Sequence, residues 1–405
     1  MRFRRRPEYF MAIRLIVFAM LITPIVAHSG AFVFSGETYG LDIITHPSGY
    51  TGTGGVLDVE VCIDSAAEDA VAMEISVKNI VQQINNMTAT SPNLFFGGNN
   101  NIPSGLVDFE SLTLHELGHC TGLSHPNLGV RPDGGGVSGD NTNLTQSGDG
   151  TNGSFAFDYG TDAVPGSNDD QRDDDQNLHW FEKGVNNPFL EVATPQASNY
   201  SRDVADLPGG HDFPANAARN VGAQLGFSNT EAVMQQGQGT DEDQRSLQAD
   251  DVSTFRMGMT GLDEIASTAD DYTINMVYGG IKVDTSSCDI VIESDTNGFG
   301  SCSIGGSFIN SNHLRITSAT YTYNSDLTWF FNDVEVPGPG CGADDLTFSN
   351  VTHNDSQDHE ACESITYGPN YVVGASGNVT ATAPSVTLGP GTTISGVFTV
   401  ITPAP

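Results

Sequence analysis

Residues 115–125 read His-Glu-Leu-Gly-His-Cys-Thr-Gly-Leu-Ser-His, a spacing suited to gripping a divalent metal. On a helix, positions four apart lie on nearly one face, a turn apart, so His115 and His119 can offer ring nitrogens to a single ion. Glu116 follows the first of them and can face the open coordination position, where a water would sit. Gly122 tolerates a left-handed backbone, which ends the helix and swings the chain back. His125 then arrives as a third imidazole from outside the helix. Three neutral nitrogens and one vacant position describe a catalytic zinc site, because a structural site is closed by a fourth protein ligand. The plain alternative, a helix with solvated histidines and a glycine cap, requires five residue types to fall into this register by chance.

Such a site needs a rigid helix beneath it. Asp108 stands where an N-cap belongs, and Glu110 lies in the first turn, where the helix dipole favours negative charge. Phe109, Leu112, Leu114 and Leu117 supply an apolar face that can bury one side of the helix. Upstream, Leu57–Ile63 alternates like a strand, and Ser65 with Glu68 reads as a capping box opening a helix that runs to about Asn86. Cys120 follows His119 directly and so points to another face, which argues against a role as a ligand.

With these residues the chain resembles a metzincin metalloprotease. Members of that family join the long zinc motif to a later tight turn with a methionine beneath the metal. Glu231-Ala232-Val233-Met234-Gln235-Gln236-Gly237 resembles that turn, with Met234 as the floor. Ser246–Arg256 resembles the last catalytic-domain helix of matrixin-like members. The resemblance spans roughly Leu57 to Leu262 and implies a chain order of strand, long helix, further strands, active-site helix, methionine turn and final helix. Pro126 follows the third histidine, as in serralysin-like members, but the glycine-rich calcium repeats of those proteins are missing. Gln236 stands where serralysins and astacins carry a tyrosine, so no tyrosine ligand carries over. Between the leader and Leu57 there is no cysteine, hence no cysteine-switch prodomain. The resemblance implies a secreted zinc endopeptidase acting on protein or peptide substrates, with His115, His119 and His125 on Zn²⁺ and Glu116 as general base. The competing reading is a secreted binding or adhesion protein with a vestigial zinc site.

The remaining sequence sets the frame. An arginine-rich start and an apolar run, Leu15 to Val26, read as an export signal over residues 1–31, with Ala27 and Ala31 as cleavage points. The apolar run is short for a membrane span. The chain carries 50 acidic and 15 basic residues, a net charge of −35. Such a surface disfavours nucleic acid and anionic membranes. Six cysteines suit an exported protein, and the expected pairs are Cys62–Cys120, Cys288–Cys302 and Cys341–Cys362. The fold class expected is α+β: a zinc-protease domain over 32–265 with a long acidic insertion at about 127–225, then a β-rich, sandwich-like module over 266–405. That module is read from short alternating runs such as Tyr272–Tyr278, Ile365–Tyr367 and Val397–Val400. In the insertion, Asp169, Asp170, Asp173, Asp174 and Asp175 cluster as candidate Ca²⁺ ligands, though not with EF-hand spacing. His179 and Trp180, with Phe181, either flank the cleft or tether the insertion to the core. Residues 216–224 read as a short helix that returns the chain to the methionine turn.

Overall fold

The computed structural model describes residues 29–35, 42–125, 226–235 and 238–336 in full, with parts of 157–224 and the strands between 345 and 401. The elements that position the histidine motif are β1 (Ile44–His46), β2 (Gly55–Asp64), α1 (Ala70–Asn86), α2 (Phe109–Cys120), α3 (Ala249–Met259), β3 (Tyr272–Lys282), β4 (Ile290–Asp295), β5 (Gly300–Phe308) and β6 (His313–Asn324). Six of them form one sheet in the order β3-β2-β4-β6-β5, with β1 also alongside β6. All neighbours are parallel except β5, which runs antiparallel to β6 at the sheet edge.

This arrangement corrects the expected boundary at 265. Strand β2 has β3 on one side and β4 on the other, so the sheet around the first strand is completed by residues 272–324. Between α1 and α2 the strands are Phe95–Phe96 and Val107–Asp108, of two residues each and outside this sheet, and the further strands of the sheet follow the final helix. One hydrophobic core joins both segments: Val59, Val61 and Ile63 of β2 and Met73, Val77, Ile80 and Ile84 of α1 pack with Leu114 and Leu117 of α2. Ile274, Ile290, Ile292, Tyr321 and Tyr323 belong to the same cluster. The hydrophobic runs after residue 262 are buried strands of this unit, which local alternation could not distinguish from strands of a separate module.

The disulfides follow the same logic. Cys62 pairs with Cys288 and Cys120 with Cys302, across sequence separations of 226 and 182. The expected Cys62–Cys120 and Cys288–Cys302 pairs are thereby corrected. Cys62 lies opposite Val291 in the β2–β4 register, which brings Cys288, just before β4, within reach. Cys120, at the end of α2, meets Cys302 on β5. The third pair, Cys341–Cys362, falls outside the described residues.

Two local expectations also change. Helix α1 begins at Ala70 with Asp69 as N-cap, in left-handed conformation and with no side-chain cap, so Ser65 and Glu68 form no capping box. Instead the Ser65 N–H donates to Lys282 O and the Glu68 N–H to Ser294 Oγ, which ties this turn to the sheet. At the N-terminal side, Ser29–Phe32 is a strand between Leu123–Ser124 and Trp180–Glu182. A leader reaching residue 31 would remove most of that strand, whereas the Ala27 cleavage point leaves it whole. Trp180 and Phe181 are buried there and tether the insertion to the core. His179 and the five aspartates at 169, 170 and 173–175 lie outside the described residues.

The C-terminal strands are a second correction. Asp345–Phe348 pairs in parallel with Ser364–Tyr367, which pairs in parallel with Ser385–Leu388. Two more three-stranded parallel sheets repeat the pattern, through Thr352–His353 and through Ser356–Glu360. Three parallel faces, each visited once per turn of roughly 20 residues, make a coiled β-solenoid and not a sandwich. Ile365, Tyr367, Tyr371, Val373, Val379 and Ala381 fill its interior.

Two measurements test this architecture. Fully burying one large apolar side chain contributes about 1.5–3 kcal/mol, against a total stability of about 5–15 kcal/mol. A chain ending at residue 265 lacks the strands that contribute Ile290, Ile292, Tyr321 and Tyr323 to the core. It is expected to show no cooperative thermal transition, whereas a chain ending at 336 keeps one. The second concerns Glu110, buried in the first turn of α2, whose carboxylate accepts from Asn79 and Asn332 at 3.0 and 2.7 Å. Burial pushes its pKa up to about 7, against the opposing pull of those two amides. The protonated form is favoured in the folded state, so this stabilisation is complete below the unfolded value and is lost as pH rises through about 7. Glu110→Gln should flatten the fall in denaturation midpoint between pH 5 and 8, a difference of roughly 3 kcal/mol at most.

Candidate metal centre

Helix α2 is anchored at its start by Asp108. One carboxylate oxygen accepts from the Ser111 N–H at 3.0 Å, capping the helix as the sequence implies. The same group forms a two-pronged pair with Arg245, at 2.9 and 2.7 Å. At the other end Thr121 is the C-cap and Gly122 follows with φ 116°. A Cβ on Gly122 would lie 2.6 Å from Thr45 O, so glycine is required there by both backbone angle and space. The Val33 N–H donates to Gly122 O, fixing the reversal that delivers His125.

The three histidines converge. His115 Nε2 lies 3.1 Å from His119 Nε2 and 3.3 Å from His125 Nε2. Metal–nitrogen bonds of about 2.0–2.1 Å at tetrahedral angles place two nitrogens about 3.3 Å apart. The other ring nitrogens are committed: His115 Nδ1 donates to Val233 O at 2.6 Å and His119 Nδ1 to Leu123 O at 2.8 Å. A carbonyl can only accept, so each Nδ1 carries a proton and a neutral ring turns its Nε2 lone pair to the centre. Burial and the neighbouring imidazole pull the His119 pKa down to about 3, and burial with its two neighbours pulls His125 well below its usual value. A single shared proton can bridge only one nitrogen pair, whereas a divalent cation satisfies all three lone pairs. The donor set fits Zn²⁺, with a backbone carbonyl behind two of the ligands as metal-binding imidazoles normally have.

Glu116 is buried beside this centre, and its Oε2 accepts from the Cys302 N–H at 2.8 Å. Burial raises its pKa, opposed by His115 and by that N–H. Since Cys302 is bonded to Cys120, one turn along the same helix, the disulfide clamps edge strand β5 against the carboxylate it orients.

Met234 lies under the helix. A Cβ on Gly118 would come within 2.3 Å of Met234 Sδ, so the sulfur occupies the space that a side chain between the two helical ligands would need. The turn is held by Asp251, whose two carboxylate oxygens accept from the Val233 N–H at 2.8 Å and the Met234 N–H at 3.0 Å. Asp251 is fully buried and also closes the capping box of α3 with Gln248. Arg219, on the short helix Arg219–Gln224, braces the approach through ion pairs with Glu231 and Glu242. The sequence reading did not assign Asp251, Cys302, Val233 O or Leu123 O. An acidic residue three positions after Gln248 was a readable signal for Asp251. The other three act through the backbone and leave no trace in residue type.

A cavity of about 280 Å³ opens beside the histidines, lined by Ser111, Leu112, Gln235, Gln238, Gln244 and Phe299 among others. His115, Glu116 and His125 line it as well, so the cavity adjoins the centre directly.

Asp251→Ala should loosen the Val233 carbonyl that orients His115. The expected loss is about 10–100-fold in zinc affinity, measured by competition with a chromophoric chelator. Unchanged affinity would exclude this role. No protein-family model, curated protein or solved structure matches the chain.

Proposed function

We propose that the chain is a zinc-dependent endopeptidase of metzincin-like character. The observation that carries this reading is the convergence of three Nε2 atoms with a buried carboxylate beside them and a cavity on the open side. The elements that support the reading are, in chain order, a strand, a long helix, the helix of the histidine motif, the turn at Met234 and a further helix, followed by the remaining strands of the sheet.

His115, His119 and His125 would hold the metal. Zinc bound there supplies a water of lowered pKa and a Lewis acid for the scissile carbonyl. Glu116 accepts a proton from the attacking water and delivers it to the departing amine. The Cys302 N–H keeps the carboxylate turned to the cleft while leaving its second oxygen for the proton. Met234 does no chemistry and sets the floor against which the helix rests.

Among the described residues no helix is long and apolar enough to cross a membrane. The two disulfides are compatible with an extracellular protein. Calcium at residues 169–175 stays part of the proposal on sequence grounds alone.

The decisive test is Glu116→Ala. The variant should bind one zinc per chain yet lose cleavage of an unfolded protein by about 10²–10⁴-fold, the usual scale for general acid–base catalysis. Zinc content by elemental analysis and digestion with and without a chelator supply the two readouts. Full activity in the variant, or activity insensitive to zinc removal, would refute the zinc mechanism, and a zinc-loaded wild-type chain that cuts nothing would favour a binding protein.

A further inference from the structure

Three glutamines line the cavity beside the histidines, Gln235, Gln238 and Gln244. Gln235 and Gln238 both line it, and the side-chain oxygen of each is buried with no hydrogen-bond partner. The Gln238 amide cannot be reversed without loss, because its Nε2 donates to Asp108 O at 3.3 Å. Gln244 is fixed in the same way: its Nε2 donates to Glu231 O and Ala232 O at 2.9 and 3.2 Å. Ser111 Oγ is occupied as well, donating to Asp108 and accepting the Gln244 N–H at 2.7 Å. Glu116 adds a carboxylate to the lining, and no lysine or arginine is among the described lining residues. Both orphan oxygens are covered by their neighbours, and a small turn about the last, soft torsion of each glutamine would bring them to the cavity.

A buried acceptor left unpaired is costly, and the cost remains if an apolar group fills the space next to it. A group carrying several N–H donors removes it. Positive charge adds to the match, because the chain as a whole carries −35 and draws cations toward it. We infer that this cavity selects arginine or lysine at one of the two substrate positions flanking the scissile bond, with Gln235 and Gln238 as the specificity-determining residues. The inference rests on the peptidase reading for the word substrate, while the pocket's preference for a cationic donor is independent of turnover.

Two measurements separate the two claims. In the first, the full zinc-loaded chain digests a peptide library randomised on both sides of the cleavage point. The expected result is arginine or lysine favoured over leucine and phenylalanine by about tenfold or more in kcat/KM at one flanking position. The double variant Gln235→Met, Gln238→Met, checked for zinc content and melting temperature, should erase or invert that ratio. In the second, the Glu116→Ala chain is titrated with N-acetyl-arginine amide and with N-acetyl-leucine amide, following the side-chain amide resonances of Gln235 and Gln238. The arginine compound should bind about tenfold more tightly. An apolar preference at both flanking positions, or equal binding of the two amides, overturns the inference even if peptides are cut. Selective binding of the arginine compound without cleavage of any peptide would sustain the pocket and remove the peptidase reading.

Discussion

Three imidazole nitrogens, with that of His115 only 3.1 and 3.3 Å from the other two, are unfavourable unless positive charge lies among them, and much of the surrounding structure keeps them there. His115 is oriented by the Val233 carbonyl and His119 by Leu123. Asp251 holds the Val233 turn through two backbone N–H groups, and Arg219 braces the segment before it. Asp108 pins the start of the helix and Gly122 allows its end to reverse. Each supporting group is buried or bonded to something buried, so the geometry does not depend on any one solvent-exposed contact. This rigidity is what a preorganised centre needs, because ligands that had to be ordered on binding would weaken the affinity.

The centre itself was largely legible in the chain. The spacing His115-Glu116-x-x-His119-x-x-Gly122-x-x-His125 is local, and a helix followed by a glycine reversal converts it directly into convergence. Asp108 was likewise readable as a cap from its type and position, whereas Met234 was readable only through the family resemblance, because a methionine followed by polar residues and glycine is a weak signal by itself. What escaped was connectivity. Strand β2 needs parallel partners on both sides, and parallel pairing links segments any distance apart. Nothing in the pattern of Tyr272–Tyr278 says that it belongs beside Leu57–Ile63. The cysteine pairs differ for the same reason, since Cys62–Cys288 and Cys120–Cys302 join segments on the two sides of residue 265, which the expected pairs kept apart.

The C-terminal solenoid, by contrast, left a signal that went unread. Asp345-Leu346-Thr347-Phe348, Ser364-Ile365-Thr366-Tyr367 and Ser385-Val386-Thr387-Leu388 share one pattern, apolar residues two positions apart, and in the second of them Ile365 and Tyr367 are fully buried. The second and third are each followed by Gly-Pro, at 368–369 and 389–390. Repetition at that period marks stacked coils, because each short strand can bury its apolar residues only against the equivalent strand one turn away. Strand composition alone says nothing of this, which is why a sandwich was the natural expectation.

The permuted chain order also sets a timetable. During synthesis the histidine motif leaves the ribosome far ahead of Cys302, whose N–H orients Glu116, and of strand β6, which holds β5 in place. Until those late strands arrive, β2 has neither of its parallel neighbours and α2 has no sheet to rest on. On the proposed reading, the support of Glu116 and of the sheet is complete only once the last of these strands has been made.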